Sequence, residues 1–377
     1  MSIATLSDLA DPIKTPRLVF KIGSSLLVGK DGEVRNVWLN SLAGEISDAR
    51  KRGQQVLVVS SGAVALGAAR LGLEKGGRGS LADKQAAASV GQIALSGLWA
   101  QLLSQYGLVA AQLLLTLEDL EYRRRYLNAS ATMGRLLKAG TVPVINENDS
   151  IATNELRFGD NDRLAARVAQ AGRAQAVVLL SDVDGLYDRD PKDPDANLLE
   201  TIKGVTQDHH EMASGDSSSG VGTGGMTSKL QAVEIAERAG IALAILNGME
   251  DAPFRNALES DTGTLFLPRR HDTARKAWLG GRQRMRGALV VDEGCAKALE
   301  DGGSVLAAGI IDVRGGFNRG QPVAVENEDG ERIAQGMVEY DREDVDKIMG
   351  HRSEEHEDLL GYSPRSAVIH RDQLVVL

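Results

Sequence analysis

TVPVINENDSIATNELRFGDNDRLAARVAQAGRAQAVVLLSD, residues 141 to 182, holds two unbroken apolar runs, TVPVIN and QAVVLLSD, with a helical segment, NDRLAARVAQAG, between them. A strand with one wet face alternates apolar and polar residues, whereas a run without alternation is buried on both faces. Strand, helix and strand in that order therefore read as a right-handed crossover between parallel strands. The theme repeats outward in RLVFKIG (17 to 23), QVLVVSSG (55 to 62), LVAAQLLL (108 to 115) and IALAILNG (241 to 248), the last strand expected in this part. Helical patterns fill the gaps at 37 to 52, about 83 to 106 and near 123 to 139, and Ser80 and Asp83 are spaced as a capping box. The expected fold is α/β, a three-layer αβα sandwich with a mainly parallel sheet.

In such a sheet the ligand lies beyond the carboxyl ends of the strands. Those ends read KIGSS, SSG, NENDS, SDVDG and NGME, all small, polar or charged. Lys21 closes the first apolar strand, where an ammonium is costly without a partner, and Gly23, Ser24 and Ser25 follow it. The alternative is a lysine that snorkels to the surface. NENDSIATNELRFGDNDRLAA, 146 to 166, crowds Glu147, Asp149, Glu155, Asp160 and Asp162 among Asn146, Asn148, Asn154 and Asn161. Carboxylates can hold an ammonium or a metal, and amides can hydrogen-bond a polar substrate. GDND also reads simply as a helix N-cap.

GVGTGGMTSKLQAVEIAERAG, 220 to 240, packs Gly220, Gly222, Gly224 and Gly225 ahead of a helix with apolar Leu230, Val233 and Ala236 and a stop at Gly240. Glycines let backbone N–H groups approach an anion, a helix N-terminus adds unsatisfied donors, and Lys229 lies within the first turn or so. The reading is a phosphate cradle with its own cation; the competing one is a mobile Gly/Ser connector. Neither the P-loop nor the dinucleotide fingerprint fits. From about 182 to 219 no strong periodicity appears, which suggests a lid or a loop on the nucleotide side, against a plain surface excursion. His209 and His210 read as solvated, and no cluster suggests a protein-held metal. Two lysines, glycine loops and carboxylates together describe phosphoryl transfer, where positioning and positive charge carry most of the catalysis.

Composition limits the classes further. The chain has 377 residues, 42% hydrophobic and 25% charged, with one cysteine, Cys295, so no internal disulfide is possible. No apolar run approaches 18 residues and the N-terminus lacks a signal pattern, so a cytoplasmic protein without membrane association is expected. The net charge of −9 sits in the tail: residues 285 to 377 hold 10 Lys+Arg against 19 Asp+Glu, and the rest is balanced at 33 each. That argues against nucleic-acid binding. An Arg-rich stretch, 269 to 286, divides the chain, and GALVVDEG, SVLAAGI, QPVAVEN and IAQGMVEY beyond it read as strands of a small β-rich barrel. The expected domains are 1–275, a linker at 276–284, and 285–377.

KIGSS, SSGAVALG, LNASATM, VPVINENDSIAT, FGDNDRLAA, LLSDVDGLYDRDP and GVGTGGMTSKLQAVEIAERAG, in this order, resemble the bacterial glutamate 5-kinase family of the amino-acid kinase superfamily. RGALVVDEG, FNRGQPVAV, GHRSEE and GYSPRSAVIHRD resemble the PUA domain appended to many members. The resemblance implies ATP with Mg²⁺, L-glutamate as acceptor at its γ-carboxylate, and a place in proline synthesis. It implies Lys21 and Lys229 at the transferring phosphoryl group, with Asp162 holding them. It implies Ser61, Asp149 and Asn161, with Asp160 beside them, at the glutamate. Lys21, Ser181, Asp182, Thr223, Gly224, Gly225, Met226, Thr227, Ser228 and Lys229 fall at the nucleotide. Position 181 is Ser where relatives often have Thr, the first residue of SSG likewise, and Thr227 and Ser228 are often reversed; each change keeps its hydroxyl.

Feedback inhibition by proline, a homo-oligomer (dimer or tetramer) and coupling to glutamate-5-semialdehyde dehydrogenase are implied only by the resemblance. A carboxylate nucleophile is ionised at pH 7 and needs no general base, which fits a site with cations and no histidine. Asp149 would pair with the substrate α-ammonium. Two alternatives stay open: another acceptor (aspartate, acetylglutamate, carbamate or a nucleoside monophosphate), and an RNA-binding protein that uses its PUA domain.

Overall fold

The computed structural model describes residues 2–29, 33–151, 161–214, 225–269, 285–362, 364–365 and 367–377. The chain divides into two compact units, Met1–His271 and Asp272–Leu377. The expected linker, 276–284, lies outside the described residues.

The first unit carries β1 (Arg17–Ile22), β2 (Gln55–Ser60), β3 (Ala110–Leu115), β4 (Val142–Glu147), β5 (Ala176–Ser181), β6 (Thr201–Lys203), β7 (Ala242–Asn247) and β8 (Thr264–Leu267). They form one sheet in the order β3-β4-β2-β1-β5-β7-β8-β6. The six apolar runs read from the sequence are β1 to β5 and β7, all mutually parallel. The chain adds two strands that the sequence reading lacks. β8 follows the supposed last strand and runs antiparallel to β7, and β6 pairs parallel with β8. TLFL and TIK are too short to show a period.

The helices are α1 (Ser24–Leu27), α2 (Asn36–Lys51), α3 (Ala63–Leu71), α4 (Leu81–Ser104), α5 (Leu117–Glu121), α6 (Arg123–Lys138), α7 (Asn161–Gly172), α8 (Gln207–Ser214), α9 (Met226–Arg238) and α10 (Pro253–Ser260). Phe20, Val58, Val144, Leu180 and Leu246 bury one sheet face with Trp38, Leu42 and Ile46 of α2 and Leu95, Trp99 and Leu103 of α4. On the other face Val19, Leu57, Val59, Val177, Leu179 and Ile245 are buried too, and α7 and α9 pack there. Burial on both faces is why these strands show no alternation. Ser80 caps α4 as expected, its Oγ accepting from the Asp83 N–H at 3.0 Å. α4 is long and apolar enough by composition to cross a membrane, yet its Leu95, Trp99 and Leu103 belong to the core.

α3 and α4 meet with backbones in contact. A Cβ built on Gly67 would lie 1.7 Å from the Ala87 carbonyl oxygen, and one built on Gly91 would lie 1.7 Å from that of Ala63. Only glycine permits this approach, and it locks α4 against the turn that follows β2. The stretch after β5 is more ordered than expected: Tyr187 bridges Leu198, then β6 and α8 follow before the undescribed 215–224.

The second unit holds β9 (Gly287–Val291), β10 (Ile310–Gly315), β11 (Pro322–Glu326), β12 (Arg332–Met337) and β13 (Leu374–Val376) in a mixed sheet of order β10-β9-β11-β12-β13. SVLAAGI is not the strand expected there. It contributes one bridge, Val305 to Ile369, and a 3-10 turn over Ala307–Gly309 before β10 starts at its last residue. Leu289, Val291, Phe317, Val323, Val325, Tyr340 and Ile369 give this unit its own core.

Candidate active site

β1 lies at the middle of the sheet, between β2 and β5. Lys21, near its carboxyl end, and Lys229, in the first turns of α9, reach the same carboxylate. Lys21 Nζ stands 2.5 Å from Asp162 Oδ1 and Lys229 Nζ 3.3 Å from Asp162 Oδ2. Asp162 is the second residue of α7 and has no solvent exposure. An acidic residue in a helix's first turn is favoured by the helix dipole. Burial alone would raise its pKa, but the two ammoniums overcome that and hold the carboxyl below the usual carboxylate range. Two ammoniums share one carboxylate, so the trio is net positive by one charge in a place where charge is expensive. An anion entering there would be bound by an existing field.

A second chain of contacts runs from Asp162 towards α4. Asn161, its neighbour, donates from Nδ2 to Ser61 Oγ at 2.6 Å and to Asn146 Oδ1 at 3.1 Å. Asn146 in turn donates to Gln92 Oε1 at 2.9 Å. Ser61 is set by the turn after β2, where Gly62 takes φ 111° and begins α3. Trp99 Nε1 donates to Ser60 Oγ at 3.0 Å, which fixes the strand end beneath that turn.

Asp149 lies in the turn that follows β4, where its Oδ1 accepts from Lys84 Nζ at 2.6 Å. On the other side of the sheet's centre, Ser181 ends β5 and its Oγ donates to Asp182 Oδ1 at 3.2 Å. Gly225 is the N-cap of α9 and, having no side chain, makes no side-chain cap to the first N–H groups of that helix. Met226 and Thr227 open the helix, and the Ser228 N–H donates back to the Gly225 carbonyl at 3.0 Å. Among the described residues, a Cβ built on Gly225 would meet nothing within 4 Å. Asp160, Thr223 and Gly224 lie outside the described residues, as do Gly220 and Gly222.

His209 is not simply solvated: its Nδ1 accepts from the Thr206 N–H at 3.0 Å and caps α8. Burial lowers its pKa, consistent with a neutral acceptor ring. His210 Nε2 lies 2.9 Å from Glu234 Oε1. Among the described residues no three His, Cys, Asp or Glu side chains gather as a metal site.

Sequence reasoning missed Lys84 and Gln92 of α4. One signal was available for Lys84, since it is the last charged residue before 85 to 117, which carry no charge at all. Gln92 has no such mark; only the packing of α4 brings it to Asn146.

Comparison with known proteins adds independent findings. Residues 16–247 match the amino acid kinase family and residues 287–360 the PUA domain. A glutamate 5-kinase of Novosphingobium aromaticivorans is 63% identical over 377 residues, the whole of both chains. One of Zymomonas mobilis is 53% identical, over 97% of this chain and 92% of its own. One of Sphingopyxis alaskensis is also 53% identical, over 98% of this chain and 100% of its own.

Proposed function

This chain belongs to the amino acid kinase family, and from that premise we propose that it transfers the γ-phosphoryl group of ATP to the γ-carboxylate of L-glutamate, the first step of proline biosynthesis. The observation that carries the reading is the convergence of Lys21 and Lys229 on Asp162, from β1 and α9, at 2.5 and 3.3 Å.

Both reactants are anions, so their approach is opposed until positive charge lies between them. Lys21 and Lys229 supply it at the transferring phosphoryl group, whose transition state spreads charge over its oxygens. Asp162 holds the two ammoniums near one point and keeps them from repelling each other apart. The acceptor carboxylate is already ionised at neutral pH and requires no base. Ser61 and Asn161, hydrogen-bonded to each other, orient it together with Asp160. Asp149 takes the α-ammonium. The start of α9, with Thr223, Gly224, Gly225, Met226, Thr227 and Ser228, receives the nucleotide phosphates, and Ser181 and Asp182 lie on the nucleotide side. A Mg²⁺ brought in with the nucleotide would supply further charge neutralisation there.

The test is hydroxylamine trapping of the acyl phosphate with Mg-ATP and L-glutamate. Formation of γ-glutamyl hydroxamate is expected, and its absence, with product from aspartate or another acceptor instead, would overturn the reading. Lys229→Ala should lower kcat by about 10²- to 10³-fold, as loss of one stabilising group in a preorganised site does. Circular dichroism would check that the fold is kept.

A further inference from the structure

The Lys84–Asp149 ion pair is the feature the reaction scheme leaves unexplained. Lys84 lies one turn into α4, where its N–H donates to the carbonyl of the N-cap Ser80 at 3.1 Å. A cation near a helix N-terminus faces the unfavourable end of the dipole. Ordering a lysine side chain also costs entropy. Even so, the side chain is held at 21% exposure against an Asp149 at 14%. Asp149 is equally fixed. It sits in a turn closed by the Ile151 N–H to the Asn148 carbonyl at 3.3 Å and by Ser150 Oγ to Asn148 Oδ1 at 2.5 Å.

The same helix carries Gln92, which reaches Asn146 and through it Asn161 and Ser61. Lys84, Ala88 and Gln92 are spaced by fours and so share one side of α4. The contact of Gly67 and Gly91 with the facing backbones fixes that side relative to the turn bearing Ser61. α4 is thus a wall of the acceptor end of the site.

We propose that Lys84 is a specificity-determining residue that binds the α-carboxylate of the amino-acid acceptor. In an α-amino acid the ammonium and the α-carboxylate hang on one carbon, so a group that takes the first has the second beside it. Asp149 takes the ammonium on the reading above, on which this inference rests, and the cation 2.6 Å from Asp149 is Lys84. Without substrate, Lys84 occupies the place of the incoming ammonium. With substrate, one ion pair is exchanged for two, and both charges of the zwitterionic end are matched. An N-acylated amino acid, lacking the ammonium, leaves Asp149 with nothing to replace Lys84, and a carboxylate without an amino group leaves it likewise. The site therefore selects a free α-amino acid by its head as well as by its side chain.

The full-length chain and its Lys84→Met and Lys84→Arg variants would be assayed by hydroxamate trapping. 4-Aminobutanoate, which keeps the ammonium and the reacting carboxylate but lacks the α-carboxylate, serves as a competitive probe. Lys84→Met should raise the KM for glutamate by about 10- to 100-fold, the loss expected for a charge-assisted hydrogen bond. The effect should fall on KM rather than kcat, with the KM for ATP changed less than about twofold and Lys84→Arg between the two. The inhibition constant of 4-aminobutanoate should not rise in Lys84→Met and should fall, since its ammonium no longer displaces Lys84 from Asp149.

An unchanged glutamate KM would overturn the proposal. So would an equal weakening of glutamate and 4-aminobutanoate, which would mean that Lys84 only props Asp149. Should the variants fail to fold, the wild type still decides: equal affinity for glutamate and 4-aminobutanoate removes any role for a cation at the α-carboxylate. A wild type that yields no hydroxamate from glutamate would instead sink the underlying kinase reading, so the two failures are distinct.

Discussion

At the scale of single residues, Asp162 matters most because it has no solvent exposure and two cations beside it. Replacing it with Asn leaves Lys21 and Lys229 buried without that counter-charge, a loss of about 3–5 kcal/mol by the usual cost of breaking a buried pair. Denaturant melting would measure it, and phosphate-bearing ligands should restore part of the loss, since they supply the missing negative charge. The pH dependence has a definite sign. The folded carboxyl is held below its ordinary value of 3.8, so its contribution is present above that pH and fades as the pH falls through the depressed folded value. Asp162→Asn should lack this acid-side loss; an identical acid profile in both proteins would mean that the carboxylate is not coupled to the lysines.

Secondary-structure elements bring in contacts that no single residue explains. Gly91 and Gly97 both lie in α4, but a Cβ on Gly91 would strike the Ala63 carbonyl whereas one on Gly97 would meet nothing within 4 Å. Gly97→Ala should therefore stabilise by about 0.5–1 kcal/mol through helix propensity. Gly91→Ala must force α3 and α4 apart and should cost several-fold more, with a raised glutamate KM from the shifted α4 wall. Comparable melting temperatures for the two variants would contradict the crossing.

α10 makes a different demand. Its N-cap is Ala252 at φ 53°, and the missing cap is supplied from α2 by Glu45, which accepts from the Arg255 N–H at 2.6 Å and the Phe254 N–H at 3.4 Å. Burial pushes the Glu45 carboxyl up to about 7 despite those donors. A raised folded value means that stability present below pH 4.5 is lost as the pH rises to about 7, by at most about 3 kcal/mol. Glu45→Gln, an isostere of the protonated carboxyl, should flatten that slope, so the wild type should lose stability relative to the variant from pH 5 to pH 8. A constant difference would show that Glu45 is ionised throughout.

For the whole molecule, the prediction concerns where the chemistry resides. Lys21, Ser61, Lys84, Asp149, Asn161, Asp162, Ser181, Asp182 and Lys229 all belong to the unit Met1–His271. The second unit has its own sheet and core. A fragment of residues 1–275 should therefore fold and retain most of its hydroxamate-forming turnover, because domains with separate cores fold separately. Loss of all activity in a folded fragment would place part of the site in the tail unit.

Several things were legible from the order of residues alone. Six of the eight strands of the large sheet, and its five longest helices (α2, α4, α6, α7 and α9), follow from apolar runs, helical periodicity and capping residues, because burial on both faces leaves a local mark on composition. Lys21 stood out as a lysine in an apolar strand, which needs a partner, and Lys229 as a cation at a glycine-led helix start; Asp162 read equally well as a helix N-cap, and its place between them was implied only by the resemblance. Four features were decided only by the tertiary structure. They are the partner of Asp149, the cap that Glu45 lends to α10, the backbone contact of α3 with α4, and the added strands β6 and β8. Lys84 and Asp149 are 65 residues apart, and Glu45 and Arg255 are 210. Periodicity reports on neighbours within a few turns of one element. A contact between distant elements is set by how they pack, and its energy leaves no repeating trace in either stretch.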